Sequence, residues 1–273
     1  MTSQAQTPNQ ATSPDEIHVQ RVGTGSRRAL GLHGLSGSGA FWVPLAERLG
    51  DEASFVLPDL IGFGSSPKPK IDYTAGAHFQ AIRHLVEAPG EPWTLIGHSM
   101  GATIAVHIAS THPERVRNLV LFAAPIFSSA ERREHLLGRQ NLLTRLCLRY
   151  PAADKAVAAV FYGTAPLFRR IGPRLRKDLP AQVVLDYFRH TLDSYKSSAQ
   201  NLMVGKDLMP DLARVPHPLM VIQGEHDSMV DDPSAISWPA NVRLEVIPDS
   251  GHLWAVTHAD EAARLVREFL HAL

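Results

Sequence analysis

Cysteine is nearly absent from this chain, and neither sign of charge dominates it. Cys147 is the single cysteine among 273 residues, so the chain has neither a disulfide framework nor a cysteine-rich metal site. Lysine plus arginine equals aspartate plus glutamate at 27 each. A neutral chain lacks the basic surface that nucleic-acid binding requires. The composition therefore excludes a disulfide-stabilised scaffold and argues against a nucleic-acid partner.

Long apolar runs are also missing. No stretch reaches the roughly 18 apolar residues that are needed to span a bilayer. Residues 1–13 are polar and lack the apolar segment of a secretory signal. We therefore expect a soluble, cytoplasmic protein without a membrane span, with a disordered tail over residues 1–14.

The sequence does contain an alternation of short apolar runs with helical patterns. The alternation predicts an α/β fold with a mostly parallel, doubly wound sheet that is covered on both faces. The first two strands are expected to be neighbours. The predicted strands cover residues 17–22, 28–32, 53–57, 93–96, 116–122, 219–223 and 243–247, and the predicted helices cover residues 41–49, 73–87, 102–110 and 259–271.

Residues 126–200 interrupt this alternation. They have helical patterns without a clear strand, and they hold 13 lysines and arginines against six acidic residues. We expect this segment to be an inserted helical cap over the carboxyl edge of the sheet, where open α/β sheets bind their ligands. Residues 15–125 and 201–273 would then form the core.

A candidate nucleophile lies between a predicted strand and a predicted helix. Gly97-His98-Ser99-Met100-Gly101 matches the pattern G-x-S-x-G in that structural context. A serine in such a tight turn projects its hydroxyl from the sheet, and the flanking glycines let neighbouring backbone approach closely. The start of the helix adds backbone N–H donors and a positive dipole end. Ser99 is therefore the predicted nucleophile, and His98 is interpreted as a structural part of the turn.

The predicted base and acid follow the last two strands, so they emerge at the same edge of the sheet as Ser99. His252 would take the proton of the serine, and Asp227 would orient the imidazole and stabilise its charged form. The chain has 14 histidines, and the loop position of His252 after a Ser-Gly pair favours it over the others. Asp227 is preferred because it lies a short turn beyond its strand. The competing acids are Glu225, Asp231 and Asp249.

A glycine-rich run over residues 32–39 follows an early strand and is suited to binding an oxyanion. We expect the N–H groups of Leu35 and Met100 to be the two donors. The run matches neither G-x-x-x-x-G-K-[ST] nor G-x-G-x-x-G, so no phosphate or dinucleotide cofactor is predicted. Four aromatic residues near the loops are expected to line an apolar pocket, with ordinary core packing as the alternative: Trp42, Phe63, Phe127 and Trp254.

Several motifs, taken in their order along the chain, resemble those of a known family. They are residues 33–35, 59–66, 97–101, 224–227 and 250–252. Together they resemble the α/β-hydrolase superfamily, and more closely its capped branch of esterases, lactonases, epoxide hydrolases, haloalkane dehalogenases and carbon–carbon hydrolases. Ser99 stands where similar dehalogenases and epoxide hydrolases carry aspartate. His98 stands where carbon–carbon hydrolases usually carry asparagine. The resemblance therefore implies a serine hydrolase and favours ester substrates.

The predicted function is hydrolysis of a small carboxylic ester through an acyl-serine intermediate, with no metal and no cofactor. Two alternatives stay open: a lactone or carbon–carbon hydrolase with the same triad, and a slow-turnover ligand receptor on the same fold. The cap has basic clusters at residues 132–149 and 169–177. These clusters form either a solvated surface or a positive electrostatic field that steers an anionic or carrier-linked substrate. The oligomeric state is not predicted.

Overall fold

The structure is a computed structural model that describes residues 16–138 and 154–273. The predicted tail over residues 1–14 and the basic residues Arg139, Arg145 and Arg149 lie outside the described residues. Within the described ranges, no helix combines the length and the apolar character that crossing a membrane requires.

Seven strands form one sheet in the order β1-β3-β2-β4-β5-β6-β7. β1 runs antiparallel to β3, and every other neighbouring pair is parallel. The predicted α/β class with a mostly parallel sheet is confirmed. The strands are β1 (Val19–Val22), β2 (Arg27–Leu32), β3 (Ala53–Pro58), β4 (Trp93–His98), β5 (Val116–Phe122), β6 (Leu219–Gly224) and β7 (Val242–Ile247).

The expectation that the first two strands are neighbours is wrong. β2 pairs in parallel with both β3 and β4, so both of its edges are occupied. β1 therefore pairs with the remaining edge of β3, where Val22 lies opposite Phe55.

Helices cover both faces of the sheet. Successive strand residues point to opposite faces, so Leu95 packs in one core with α2 and α3, while Ile96 packs in the other with α1 and α10. The helices outside the β5–β6 connection are α1 (Val43–Arg48), α2 (Ala75–Val86), α3 (Met100–Thr111), α9 (Trp254–Thr257) and α10 (Ala259–His271).

The described residues between β5 and β6 are helical and contact the carboxyl edge of the sheet. Ser194 Oγ donates to Gly62 O over 2.8 Å, and Thr103 Oγ1 donates to Leu202 O over 3.0 Å. These contacts hold the helical segment against the loop after β3 and against α3. Its helices are α4 (Ala130–Gly138), α5 (Asp154–Leu175), α6 (Ala181–Asp186), α7 (Leu192–Ala199) and α8 (Met209–Leu212).

Candidate active site

Ser99 occupies a strained turn between β4 and α3. Its φ is 51° and its ψ is −118°, a conformation that costs about 1–3 kcal/mol in a residue with a side chain. The turn is held because the Ser99 N–H donates to Phe122 O on β5 over 2.9 Å. A Cβ on Gly101 would overlap Leu32 O and lie 2.6 Å from His33 O, so only glycine lets α3 start this close to β2. Stored strain of this kind is typical of functional sites.

The two loops that follow β6 and β7 bring an acid and a base into contact. His252 Nδ1 lies 2.8 Å from Asp227 Oδ2, and the Asp227 side chain has no solvent exposure. The other carboxylate oxygen, Oδ1, accepts from the Met229 N–H over 2.9 Å. With Nδ1 donating to the carboxylate, a neutral His252 ring presents Nε2 as a proton acceptor. The pair therefore has the arrangement that a general base and its orienting acid require.

The competing acids are engaged elsewhere. Asp231 accepts from Ser128 Oγ over 2.5 Å and from Arg132 Nε over 2.8 Å. Burial alone would raise the pKa of Asp231, but these hydrogen bonds outweigh burial and lower it to about 2. Glu225 Oε2 accepts from the Asp249 N–H over 3.2 Å, and both side chains are exposed. None of the three has a described hydrogen bond to His252.

His98 connects the loop that carries His252 to the turn at Ser99. Its Nε2 donates to the backbone carbonyl of His252 over 2.9 Å, and the two rings lie 4.8 Å apart between centroids. Burial, together with the neighbouring His252, lowers the pKa of His98 well below its usual value, so the ring is neutral. The contact holds His252 next to the residue that precedes Ser99. The Ser99 side chain makes no capping hydrogen bond to the start of α3.

Buried polar groups hold the loop after β2, residues 33–39, in place through hydrogen bonds. His33 Nδ1 donates to Gly34 O over 2.8 Å, and its Nε2 accepts from the Leu60 N–H over 2.9 Å. Burial lowers the pKa of His33, which keeps this donor–acceptor pattern in place. At the other end of the loop, the Gly39 N–H donates to Asp59 Oδ1 over 2.8 Å.

This β2 loop lies against the turn at Ser99. A Cβ on Gly34 would lie 2.6 Å from His98 Nδ1, so the loop and the end of β4 are in contact. Neither the Leu35 N–H nor the Met100 N–H donates to a described residue. Two unused amides beside a candidate nucleophile are suited to donating to an oxyanion. Their role remains a prediction.

A cavity of about 370 Å³ opens beside the β2 loop. Its walls are mostly apolar and come from the core and from the segment between β5 and β6. The lining residues are Gly34, Leu35, Ser36, Gly37, Phe41, His98, Phe168, Arg176, Leu179, Val183, Val184, Tyr187 and Leu253.

None of the four aromatic residues expected in the pocket lines this cavity. Trp42 and Trp254, each 1% exposed, belong to the core with α1 and α10, whereas Phe63 and Phe127 belong to the other core. Their contacts are those of core residues. The neighbours Phe41 and Leu253 line the cavity instead, and the sequence offered no signal to choose them.

One group among the described residues could hold a metal ion. Ligand atoms of Glu225, His226 and Asp249 lie within 4.8 Å of one another, and all three residues are exposed. The group lies on the surface and contributes nothing to the contacts described above. The absence of a metal or cofactor requirement stays a prediction.

Comparisons with known proteins agree with this architecture. A family model described as alpha/beta hydrolase fold matches residues 30–259. A 2-(acetamidomethylene)succinate hydrolase of Mesorhizobium japonicum is 25% identical over 261 residues, covering 94% of this chain and 92% of its own length. Lipase LipV of Mycobacterium tuberculosis is 38% identical over 108 residues, which are 39% of this chain and 41% of the lipase.

Solved structures give the same picture of the fold. The N-acyl homoserine lactonase AidH, crystallised with N-butanoyl homoserine, superposes with a TM-score of 0.73 over 94% of both chains. The two sequences are 19% identical, so this likeness shows the fold alone.

Proposed function

The chain belongs to the alpha/beta hydrolase family, and from that premise we propose that it is a serine hydrolase that cleaves carboxylic esters. One observation carries the proposal: the buried contact between Asp227 and His252, held by His98 next to the strained turn at Ser99. A strained serine beside an oriented imidazole is the arrangement that activates a hydroxyl for attack on a carbonyl.

In the first half of the proposed reaction, Ser99 Oγ attacks the carbonyl carbon of the ester. His252 Nε2 takes the hydroxyl proton, and the carboxylate of Asp227 stabilises the imidazolium. The N–H groups of Leu35 and Met100 donate to the oxygen that becomes negative. His252 then gives its proton to the leaving alcohol as the ester C–O bond breaks. The acyl group is left on Ser99.

In the second half, a water molecule attacks the acyl carbon. His252 takes a proton from the water and returns it to Ser99 Oγ when the bond to the acyl group breaks. The products are the carboxylic acid and the regenerated enzyme. Every proton step passes through His252, so the orientation that Asp227 imposes on its ring matters in both halves.

The cavity supports a substrate of moderate size. At about 370 Å³, the cavity is near the lower end of the roughly 300–1,000 Å³ range of small-molecule pockets. Its apolar walls suit an aliphatic or aromatic group. The excess of basic residues between β5 and β6 supports an anionic ester. In that case kcat/KM falls as salt is added for a carboxylated ester, and not for a neutral one.

Burst kinetics with p-nitrophenyl acetate and butyrate test the proposed function. We expect a rapid release of nitrophenol followed by steady turnover, and no burst from Ser99→Ala. A panel of lactones run beside the esters separates the two kinds of hydrolase. A single slow turnover that leaves the protein occupied would contradict the proposal and indicate a ligand receptor instead.

A further inference from the structure

Helix α5 carries an exposed apolar row. Nine large apolar side chains are exposed among the described residues, and six of them lie between positions 160 and 187. Four of the six follow one another at spacings of seven, four and four, which places them along one side of the helix. We call Val160, Leu167, Ile171 and Leu175 the α5 stripe. Leu167 is 61% exposed and Leu175 is 67% exposed, so the described residues leave this side of the helix uncovered.

A row of cations runs beside the stripe. Arg170 and Arg174 lie about one turn apart on α5, and Lys177 follows in the turn just after the helix ends; we call these three residues the basic row. Residues 155–177 hold six lysines and arginines and no acidic residue. No residue of the basic row forms an ion pair with a described residue, whereas the nearby Arg176 pairs with Asp178. The positive charge of the row is therefore not balanced within the described fold.

We propose that the α5 stripe and the basic row dock on the surface of an anionic phospholipid layer. Acyl chains would cover Leu167 and Leu175, and phosphate groups would face the basic row, as in helices that lie in the plane of a membrane surface. A soluble acidic protein would pair with the basic row but gives no reason for four exposed apolar side chains beside it. The combination therefore fits a lipid surface better than an acidic partner.

The cavity adjoins this surface. Phe168 lines the cavity and is also 41% exposed, next to Leu167 on the same helix. A docked protein would thus present the rim of its cavity to the lipid layer. The docking itself needs no hydrolysis, so it goes beyond the proposed function and can fail or succeed independently of it.

Flotation of the full chain with vesicles tests the docking surface. We expect binding to vesicles of phosphatidylcholine with phosphatidylglycerol, weaker binding as salt is raised, and no binding to phosphatidylcholine alone. The variant Arg170→Gln/Arg174→Gln/Lys177→Gln should lower the affinity about a hundredfold, at roughly fivefold for each basic residue. The variant Leu167→Ser/Leu175→Ser should lower it by at least about tenfold.

Control variants replace exposed basic and apolar residues far from α5 in the sequence. Arg21→Gln/Lys70→Gln and Val246→Ser should bind the anionic vesicles like the parent protein. None of the residues changed here lines the cavity, so every variant should hydrolyse a soluble p-nitrophenyl ester at the parent rate. That measurement, with a thermal unfolding curve, excludes misfolding as the cause of lost binding.

Three outcomes would overturn the proposal. The first is no binding to anionic vesicles, or an equal loss in the control variants. The second is binding to polyglutamate without binding to vesicles, which assigns the surface to an acidic protein. The third is a dimer in solution that Leu167→Ser/Leu175→Ser dissociates, again without vesicle binding, which assigns it to a second copy of the chain. Hydrolysis of soluble esters without vesicle binding would refute the docking and leave the proposed function intact.

Discussion

The rim of the sheet around Ser99 and the exposed side of α5 differ in whether their polar side chains have partners within the described fold. At the rim, the buried side chains of His33, Asp59 and Asp227 each have partners within the fold. On α5 and in the turn after it, Arg170 and Lys177 have no ion-pair partner among the described residues, and the nearby Leu167 and Leu175 are exposed. Polar side chains with partners inside the fold keep a fixed position, as catalysis requires. Exposed side chains without such partners can contact another molecule.

Replacement of Ser99, the proposed nucleophile, should have the largest effect on activity. Ser99→Ala should lower kcat for p-nitrophenyl butyrate by about four to six orders of magnitude, because no hydroxyl remains to form the acyl intermediate. Steady-state kinetics measure the loss. The same variant should bind anionic vesicles like the parent protein, since α5 is unchanged. A variant that keeps substantial turnover would show that the chemistry lies elsewhere.

Removing the charge of the orienting acid should have the next largest effect. Asp227→Asn keeps the size of the side chain but favours the wrong tautomer of His252, and we expect kcat to fall about ten thousandfold. Kinetics near neutral pH give the value, and the thermal unfolding curve shows whether the loop is intact. Asp231→Asn is the matched control, because Asp231 pairs with Arg132 and not with His252. A larger loss in the control would exchange the roles of the two acids.

Substitutions of His98 test its hydrogen bond to the backbone carbonyl of His252. His98→Phe retains a ring but loses the donor to the His252 carbonyl, and a misplaced base should lower kcat about tenfold to a hundredfold with little change in KM. His98→Gln, whose amide can donate from a similar place, should recover most of the rate. A purely structural role would instead lower thermal stability in both variants and leave kcat unchanged.

Asp231 allows a test of stability away from the chemistry. Its pKa is lowered from 3.8 to about 2, so its contribution to folding is present above pH 4 and is lost as the pH falls through about 2. Asp231→Asn should therefore lower the free energy of unfolding by about 2 kcal/mol at neutral pH. The difference from the parent protein should disappear in strong acid. Urea unfolding across pH measures it, and a difference that grows in acid would refute the assignment.

Local patterns predicted much of this molecule. The alternation of apolar runs with helical patterns predicted the sheet and the helices on both its faces, because each pattern reports the side on which one element is buried. The Gly-x-Ser-x-Gly segment predicted the turn at Ser99 because its glycines allow the close backbone contacts that the turn requires. Asp227 and His252 come into contact because both follow parallel strands, whose carboxyl ends share one edge.

The remaining features depend on contacts between distant parts of the chain. β1 lies beside β3 because β2 has no free edge, which no property of β1 itself reveals. Phe41 and Trp42 both pack in the core, but of the two only Phe41 also lines the cavity, and the sequence of a short irregular helix does not reveal such a difference. The partner of His98 is the carbonyl of His252, 154 positions away. The exposure of the α5 stripe likewise depends on where the other elements pack, which the sequence of the helix alone does not show.

Mass spectrometry after rapid quenching tests the central claim most directly. The chain is mixed with p-nitrophenyl butyrate, quenched in acid and digested, and the peptides are searched for an added butyryl group. We predict the group on the peptide that contains Ser99, its absence in Ser99→Ala, and its accumulation in His98→Phe, where His252 is retained but misplaced. A butyryl group on another residue, or turnover with no acylated peptide, would contradict the account.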